Sequence, residues 1–174
     1  RTRAGTLPVP ASSPPPSMQV IEQLRQLSPE RFESIYETLA RDGFGPRDGE
    51  VAKLMKFRPH MIRKVPFAQR ARRARTIMEQ AGNAEMCYEL FGTYLFAAQK
   101  QLVLDFLDGT GVEHEDGMIG DPSGALPDGS KVEATVTDLD SKSPAEDVTL
   151  YLALCSEQWP SVSEVEAAWR KRLG

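Results

Sequence analysis

Two cysteines and two histidines among 174 residues leave little room for disulfide or metal chemistry. Cys87 and Cys155 are too few for a disulfide framework and show no metal-ligand spacing. Both fall inside helical apolar patterns, so they read as small buried hydrophobes in a reducing, cytoplasmic compartment. Aromatics make up 7% of the chain, thin cover for a surface that stacks nucleobases. No apolar run approaches the ~18 residues of a membrane span. The longest candidate, Leu90 to Ala98, is bracketed by Glu89 and by Gln99-Lys100-Gln101, so no membrane partner is expected. Catalytic signatures are missing too: there is no G-x-S-x-G elbow, no H-E-x-x-H pair and no G-x-G-x-x-G after a strand. Gly124 to Lys131 approaches a phosphate-binding loop, but Ser130 and Lys131 are in reversed order, Pro127 removes a donor amide and no apolar strand precedes it. Asp138 and Asp140 lack the glycine and glutamate of a calcium loop. These absences predict no catalytic residues, no cofactor and no small-molecule ligand, and they point away from an enzyme.

One further absence is local. Between Val51 and Met78 there is no acid, while nine basic residues occur there: Lys53, Lys56, Arg58, Arg63, Lys64, Arg70, Arg72, Arg73 and Arg75. Outside that window twelve basic residues face all twenty-five acids, a net charge of −13. Such a patch is neutralised either by an external polyanion or by acidic segments of the same chain. The region 101–150, with twelve acids and two basic residues, is the internal candidate.

Residues 1–17 hold five prolines, two arginines, no acid and only Leu7 and Val9 as large aliphatics. A segment so poor in apolar area does not offset its ordering entropy, so it is expected to be a disordered tail. Met18 opens a periodic pattern directly after it, which suggests Met18 as the natural start. The mature N-terminus of natively expressed protein, read by mass spectrometry, decides that point. A second shift in composition covers 109–129, with six glycines and two prolines; counting Asp108, six acids lie here. This predicts a long, exposed, mobile acidic loop within a single domain spanning 18–174. It contains the densest group of potential metal ligands, Glu113, His114, Glu115 and Asp116. Adjacent residues seldom converge on one ion, so a solvated acidic loop is the simpler reading and no metal is expected there.

Elsewhere the apolar spacing is helical. Ser28-Pro29-Glu30 supplies an N-cap, a first-turn proline and an acid against the helix dipole. Phe32, Ile35, Tyr36 and Leu39 then follow at i, i+3, i+4 and i+7, and Gly43 is a plausible C-cap. Three capping boxes, Ser130-x-x-Glu133, Ser143-x-x-Glu146 and Ser161-x-x-Glu164, announce later helices. The longest element is expected from about Ala84, capped by Asn83, to Asp108. From Met86 to Ala98 its only charge is Glu89, so it reads as the central, most buried helix. Gly92 in its interior costs ~1 kcal/mol against alanine, which suggests close approach by a neighbouring backbone. The fold class is therefore all-α: an irregular bundle of about seven or eight helices around a long core helix, with no sheet.

Within the basic window, residues 50–65 resemble the helix-turn-helix motif of bacterial DNA-binding proteins. Ala52 stands where that motif has a small residue, Phe57 follows the turn, and Ile62 and Val65 fall where a recognition helix packs on the first. The chain departs from the motif at Lys56, where the turn usually has glycine, and at Pro66, which shortens the second helix. After Pro66 a helix from Phe67 to Met78 is expected to turn Phe67, Ala71, Ala74 and Met78 inward. Arg72 and Arg73 then point outward, with Arg70 and Arg75 flanking the apolar stripe. His60 reads as a helix-start or surface residue. Candidate anion or nucleic-acid contacts are thus Lys56, Arg58, Arg63, Lys64, Arg72, Arg73 and Arg75. The pI near 5.3 and the surrounding negative charge favour internal neutralisation. The expected role is a non-enzymatic protein-interaction or scaffold module with a protein partner, self or other, and nucleic-acid binding through 53–75 is the alternative.

Overall fold

The structure, a computed structural model, describes residues 18–41, 58–62, 64–80, 83–121 and 123–173. The tail, Gly43 and residues 50–57 of the helix-turn-helix segment lie outside them. The described residues form helices and one isolated bridge, Glu115 with Met118, and contain no strand. In chain order the helices are α1 (Gln19–Gln26), α2 (Pro29–Arg41), α3 (Pro59–Ile62), α4 (Phe67–Met78), α5 (Ala84–Ala98), α6 (Lys100–Thr110), α7 (Gly129–Lys142), α8 (Ala145–Gln158) and α9 (Ser163–Arg172). Eight of them span two turns or more, and the all-α expectation holds. No helix among the described residues is long and apolar enough to cross a membrane.

Local signals explain α2 well. Ser28 Oγ accepts from the Arg31 amide at 3.1 Å, Pro29 occupies the first helical position, and Phe32, Ile35, Tyr36 and Leu39 are all buried. This stripe packs against α4 and α5. Helix α4 buries Ala71, Ala74 and Met78 as expected, while Phe67 is half-buried against Tyr36, ring centroids 5.7 Å apart.

The later caps differ from the expected boxes. Asp128, not Ser130, caps α7: its Oδ1 accepts from the Ser130 amide at 3.0 Å and the Ser130 hydroxyl at 2.6 Å. A carboxylate nearer the helix start outcompetes the serine, and Ser130 becomes a donor. Helices α8 and α9 begin after Pro144 and Val162 with no side-chain cap bond. Asn83 precedes α5 but turns backwards, donating to the Ile77 carbonyl at 2.8 Å and so closing the end of α4.

The long element from Ala84 onward is present with one interruption. Gln99, at φ −133° and ψ 39°, leaves the helical region and separates α5 from α6. Its side-chain amide instead donates to Asp147 at 3.0 Å. The central position belongs to α8, not to the 90–106 stretch. In α8 every residue from Asp147 to Ser156 except Thr149 is buried, because α1, α5, α7 and α9 all pack around it. Trp169 of α9 reaches across to α1, its indole N–H donating to Gln23 Oε1 at 2.9 Å. Phe106 meets Tyr151 edge-on at 5.3 Å and stacks with Trp159 at 6.5 Å.

Candidate functional site

The basic segment resolves into outward and inward-facing arginines. Arg72 and Arg73 are exposed on α4, as are Arg58 and Lys64 before it. Lys56 and Arg63 lie outside the described residues. Arg75 is committed to the fold: it pairs with Glu79 at 3.1 Å and donates to the carbonyls of Leu24 and Leu27 at 3.1 and 2.7 Å. Those contacts fasten α4 to the α1–α2 corner. Arg70 lies over the Phe67 ring at 5.3 Å. Acids of the 101–150 region find cations elsewhere. Asp116 pairs with Lys100, Asp138 with Lys142, and Asp140 with Arg172. Arg172 grips Asp140 with two bonds of 2.7 Å, which hold that carboxyl below its ordinary value. The acidic region therefore packs around α9 and α6, whereas α4 packs on α2 and α5. Of the helix-turn-helix segment, the described residues include the short helix α3 and Lys64 after it.

The 109–129 loop is more tightly built than its composition suggests. Val112, Gly117 and Pro127 are buried, and Gly111, at φ 75°, closes α6 in the left-handed conformation. His114 organises the turn: its Nδ1 accepts from the Gly117 amide at 3.0 Å and its Nε2 meets Asp108 at 2.9 Å. With Nδ1 accepting, the proton sits on Nε2, and both nitrogens are used. Glu113 and Glu115 stay exposed, and among the described residues no three potential ligands converge on a common point.

Two constellations escaped sequence reasoning. The first is a buried polar cluster centred on Asp147, 1% exposed. Its carboxylate accepts from Arg31, from Gln99 at 3.0 Å and from the Tyr94 hydroxyl at 3.3 Å. Arg31 also reaches the Tyr94 hydroxyl at 2.9 Å and Glu146 at 3.2 Å. Burial opposes the Arg31 charge, but Asp147 and Tyr94 more than offset it, and the guanidinium is raised above its usual value. Burial likewise pushes the Tyr94 phenol up, with Asp147 adding to it. Arg31, Gln99 and Tyr94 all donate to the one buried carboxylate, which is how a structural charge is satisfied. Its sequence trace is faint: one acid at the front of a long apolar run.

The second is a groove. Between α5, α6, α8 and the 117–119 turn lies an opening of about 200 Å³ lined mostly by carbon. Gly92 forms part of its floor, bordered by Tyr88, Leu154 and Gln158, with Phe96 and Met118 standing on its rim. Phe96 is 38% exposed and Met118 67%. A Cβ placed on Gly92 would meet no atom within 4 Å, so the close backbone approach expected there does not occur. The glycine leaves a hole instead. Burial, with Cys155 and Glu157 nearby, pushes the Tyr88 phenol up to about 12, and its hydroxyl donates to Gln158 at 3.3 Å. The available signal was α5's lack of charge, which sequence reading attributed wholly to core packing.

No protein-family model matches this chain, and neither a curated protein nor a solved structure shows significant similarity to it.

Proposed function

We propose that this chain is a non-enzymatic protein-interaction module whose working surface is the groove beside Gly92. The supporting observation is the pairing of two large exposed apolar side chains, Phe96 and Met118, with a carbon-lined hole one helical turn away. Contiguous exposed apolar surface of this kind marks binding sites. Cys87 and Cys155 fit a reducing compartment such as the cytoplasm: both are buried, free thiols, and burial pushes both up. The test uses peptides selected from a displayed library against the full chain. Their binding should weaken at least ~10-fold, or ~1.4 kcal/mol, on Phe96→Ala or Gly92→Leu with helicity retained. Selected peptides indifferent to both changes would remove the groove as the working surface.

A second reading, phosphate binding, is favoured by the exposure of Arg58, Lys64, Arg72 and Arg73. Weighing against it are the −13 charge of the remainder and the commitment of Arg75 to the fold. We expect fluorescence anisotropy to find no sequence-specific duplex binding at physiological salt. Below ~50 mM salt, weak association should appear, since phosphate contacts are strongly screened. Tight binding to a defined duplex, abolished by Arg63→Ala with Lys64→Ala, would reverse the order of the two readings.

A further inference from the structure

We infer that Asp116–Gly117 is a covalent modification site, where the chain rearranges to isoaspartate with His114 as the proton acceptor. Five Asp-Gly pairs occur in the sequence, and those starting at Asp42 and Asp48 lie outside the described residues. Glycine after aspartate leaves its amide nitrogen unshielded from the aspartyl Cγ. Of the three described pairs, Asp116–Gly117 alone forms a tight hairpin turn, with φ 51° and 89° at its two central residues. Two backbone bonds of 2.9 Å between Glu115 and Met118 close it. The Gly117 N–H, whose proton must leave, donates to His114 Nδ1 at 3.0 Å, while Nε2 is anchored on Asp108. The imidazole is 12% exposed. By contrast, the Asp116 carboxylate is 73% exposed and its Oδ2 accepts from the Lys100 ammonium. The other two pairs are held away from this chemistry. Asp108–Gly109 lies inside α6, with the Thr135 side chain 2.7 Å from where a Gly109 Cβ would stand. Asp128 Oδ1 accepts from the Ser130 hydroxyl and amide, which hold that carboxyl below its ordinary value.

The rearrangement balances within the chain and one water. The Gly117 nitrogen attacks Asp116 Cγ through the face of its amide, while its in-plane proton passes to His114 Nδ1. A five-membered imide closes as the N–Cγ bond forms. The departing oxygen, the one Lys100 bonds, leaves as water. It carries the proton from Gly117 and one from the ammonium, which solvent restores. Water next adds to the Asp116 main-chain carbonyl and breaks that carbon's bond to Gly117; addition at the other carbonyl restores aspartate. In the isoaspartate product the main chain runs through Cβ and Cγ, one carbon longer, and the former main-chain carbon becomes a free carboxylate. No oxidant or reductant enters. The extra carbon breaks the register of Glu115 with Met118 and shifts Gly117 from its close packing on Phe96. The turn is thus a slow chemical clock, whatever the neighbouring groove binds.

Its test is ageing of the folded full chain at neutral pH and physiological temperature. Trypsin then releases Gln101–Lys131, one fragment holding all three described Asp-Gly pairs. Mass spectrometry with electron-transfer fragmentation locates isoaspartate at each. It should accumulate at position 116 ahead of 108 and 128, preceded by a species one water lighter. His114→Asn is the deciding variant. The introduced amide oxygen stands where Nδ1 stood and accepts the same Gly117 N–H, but it does not take the proton. Accumulation at 116 should therefore fall at least ~10-fold, since a positioned base supplies a factor of ~10²–10⁴. The hairpin lies outside the helices, so unchanged circular dichroism is expected. Ageing in urea is the second measurement: unfolding parts His114 from Gly117, and the lead of 116 over the other two pairs should vanish. A native chain with no excess at 116, an excess that His114→Asn leaves unchanged or raises, or a lead that persists in urea overturns the inference.

Discussion

Replacing Asp147 with alanine should cost ~3–5 kcal/mol, the scale measured when one member of a buried ion pair is removed. The change strands three donors at once: Arg31, Gln99 and the Tyr94 hydroxyl all aim at this carboxylate. It also releases the residue that separates α5 from α6. Glu146→Ala is the matched control. That carboxylate pairs with the same guanidinium at 3.2 Å, but its side chain is 62% exposed, so the loss should stay within ~0.5 kcal/mol. Urea denaturation of the two variants gives the comparison. A difference below ~1 kcal/mol would show that water reaches the cluster and replaces the lost acceptor.

Phe91→Ala should be comparably damaging, at ~3–5 kcal/mol, for a different reason. Phe91 has no exposed surface, and its neighbours along α5, Leu90, Tyr94 and Leu95, are also buried. Truncation therefore loses the ring's burial and leaves a cavity that rigid helices on several sides close only in part. Arg72→Ala, on the outward face of α4, should change stability by no more than ~0.5 kcal/mol. Thermal or chemical melts giving similar losses for the two would mean that the inward and outward faces have been exchanged.

What could be read from the chain was whatever depends on neighbours in sequence. The stripe of α2 and its Ser28–Pro29 start are local matters, and so is the alternation of Ala71, Ala74 and Met78 on α4. What could not be read depends on partners far along the chain. The apolar stripe runs through Gln99 without interruption, and only Asp147, 48 residues later, makes a break there favourable. Ser130 carries a good capping pattern, yet Asp128 takes the cap because the chain approaches α7 with that carboxylate already at the helix end. Gly92 is ambiguous by nature: a missing side chain accommodates either a neighbour or a hole, and only the packing of α8 and the 117–119 turn decides which. The composition of the basic window does not show that Arg75 donates to the Leu24 and Leu27 carbonyls, 51 and 48 residues away.

The central place of α8 has a consequence for how the protein is made. Helix α1 closes against it through pairs such as the Val20 amide with Glu157, 137 residues apart, and against α9 through Gln23 with Trp169, 146 apart. On a ribosome adding ~5–20 residues per second, the apolar face of α1 emerges roughly 6–25 seconds before α8 begins to appear. Helices α2, α4 and α5 can assemble in the meantime, since their mutual contacts are closer in sequence. The side of α1 that packs on α8 cannot, although the Cys87 thiol of α5 already reaches the Val20 carbonyl. A stalled or truncated product ending before Ala145 would therefore keep the α8-facing side of α1 open.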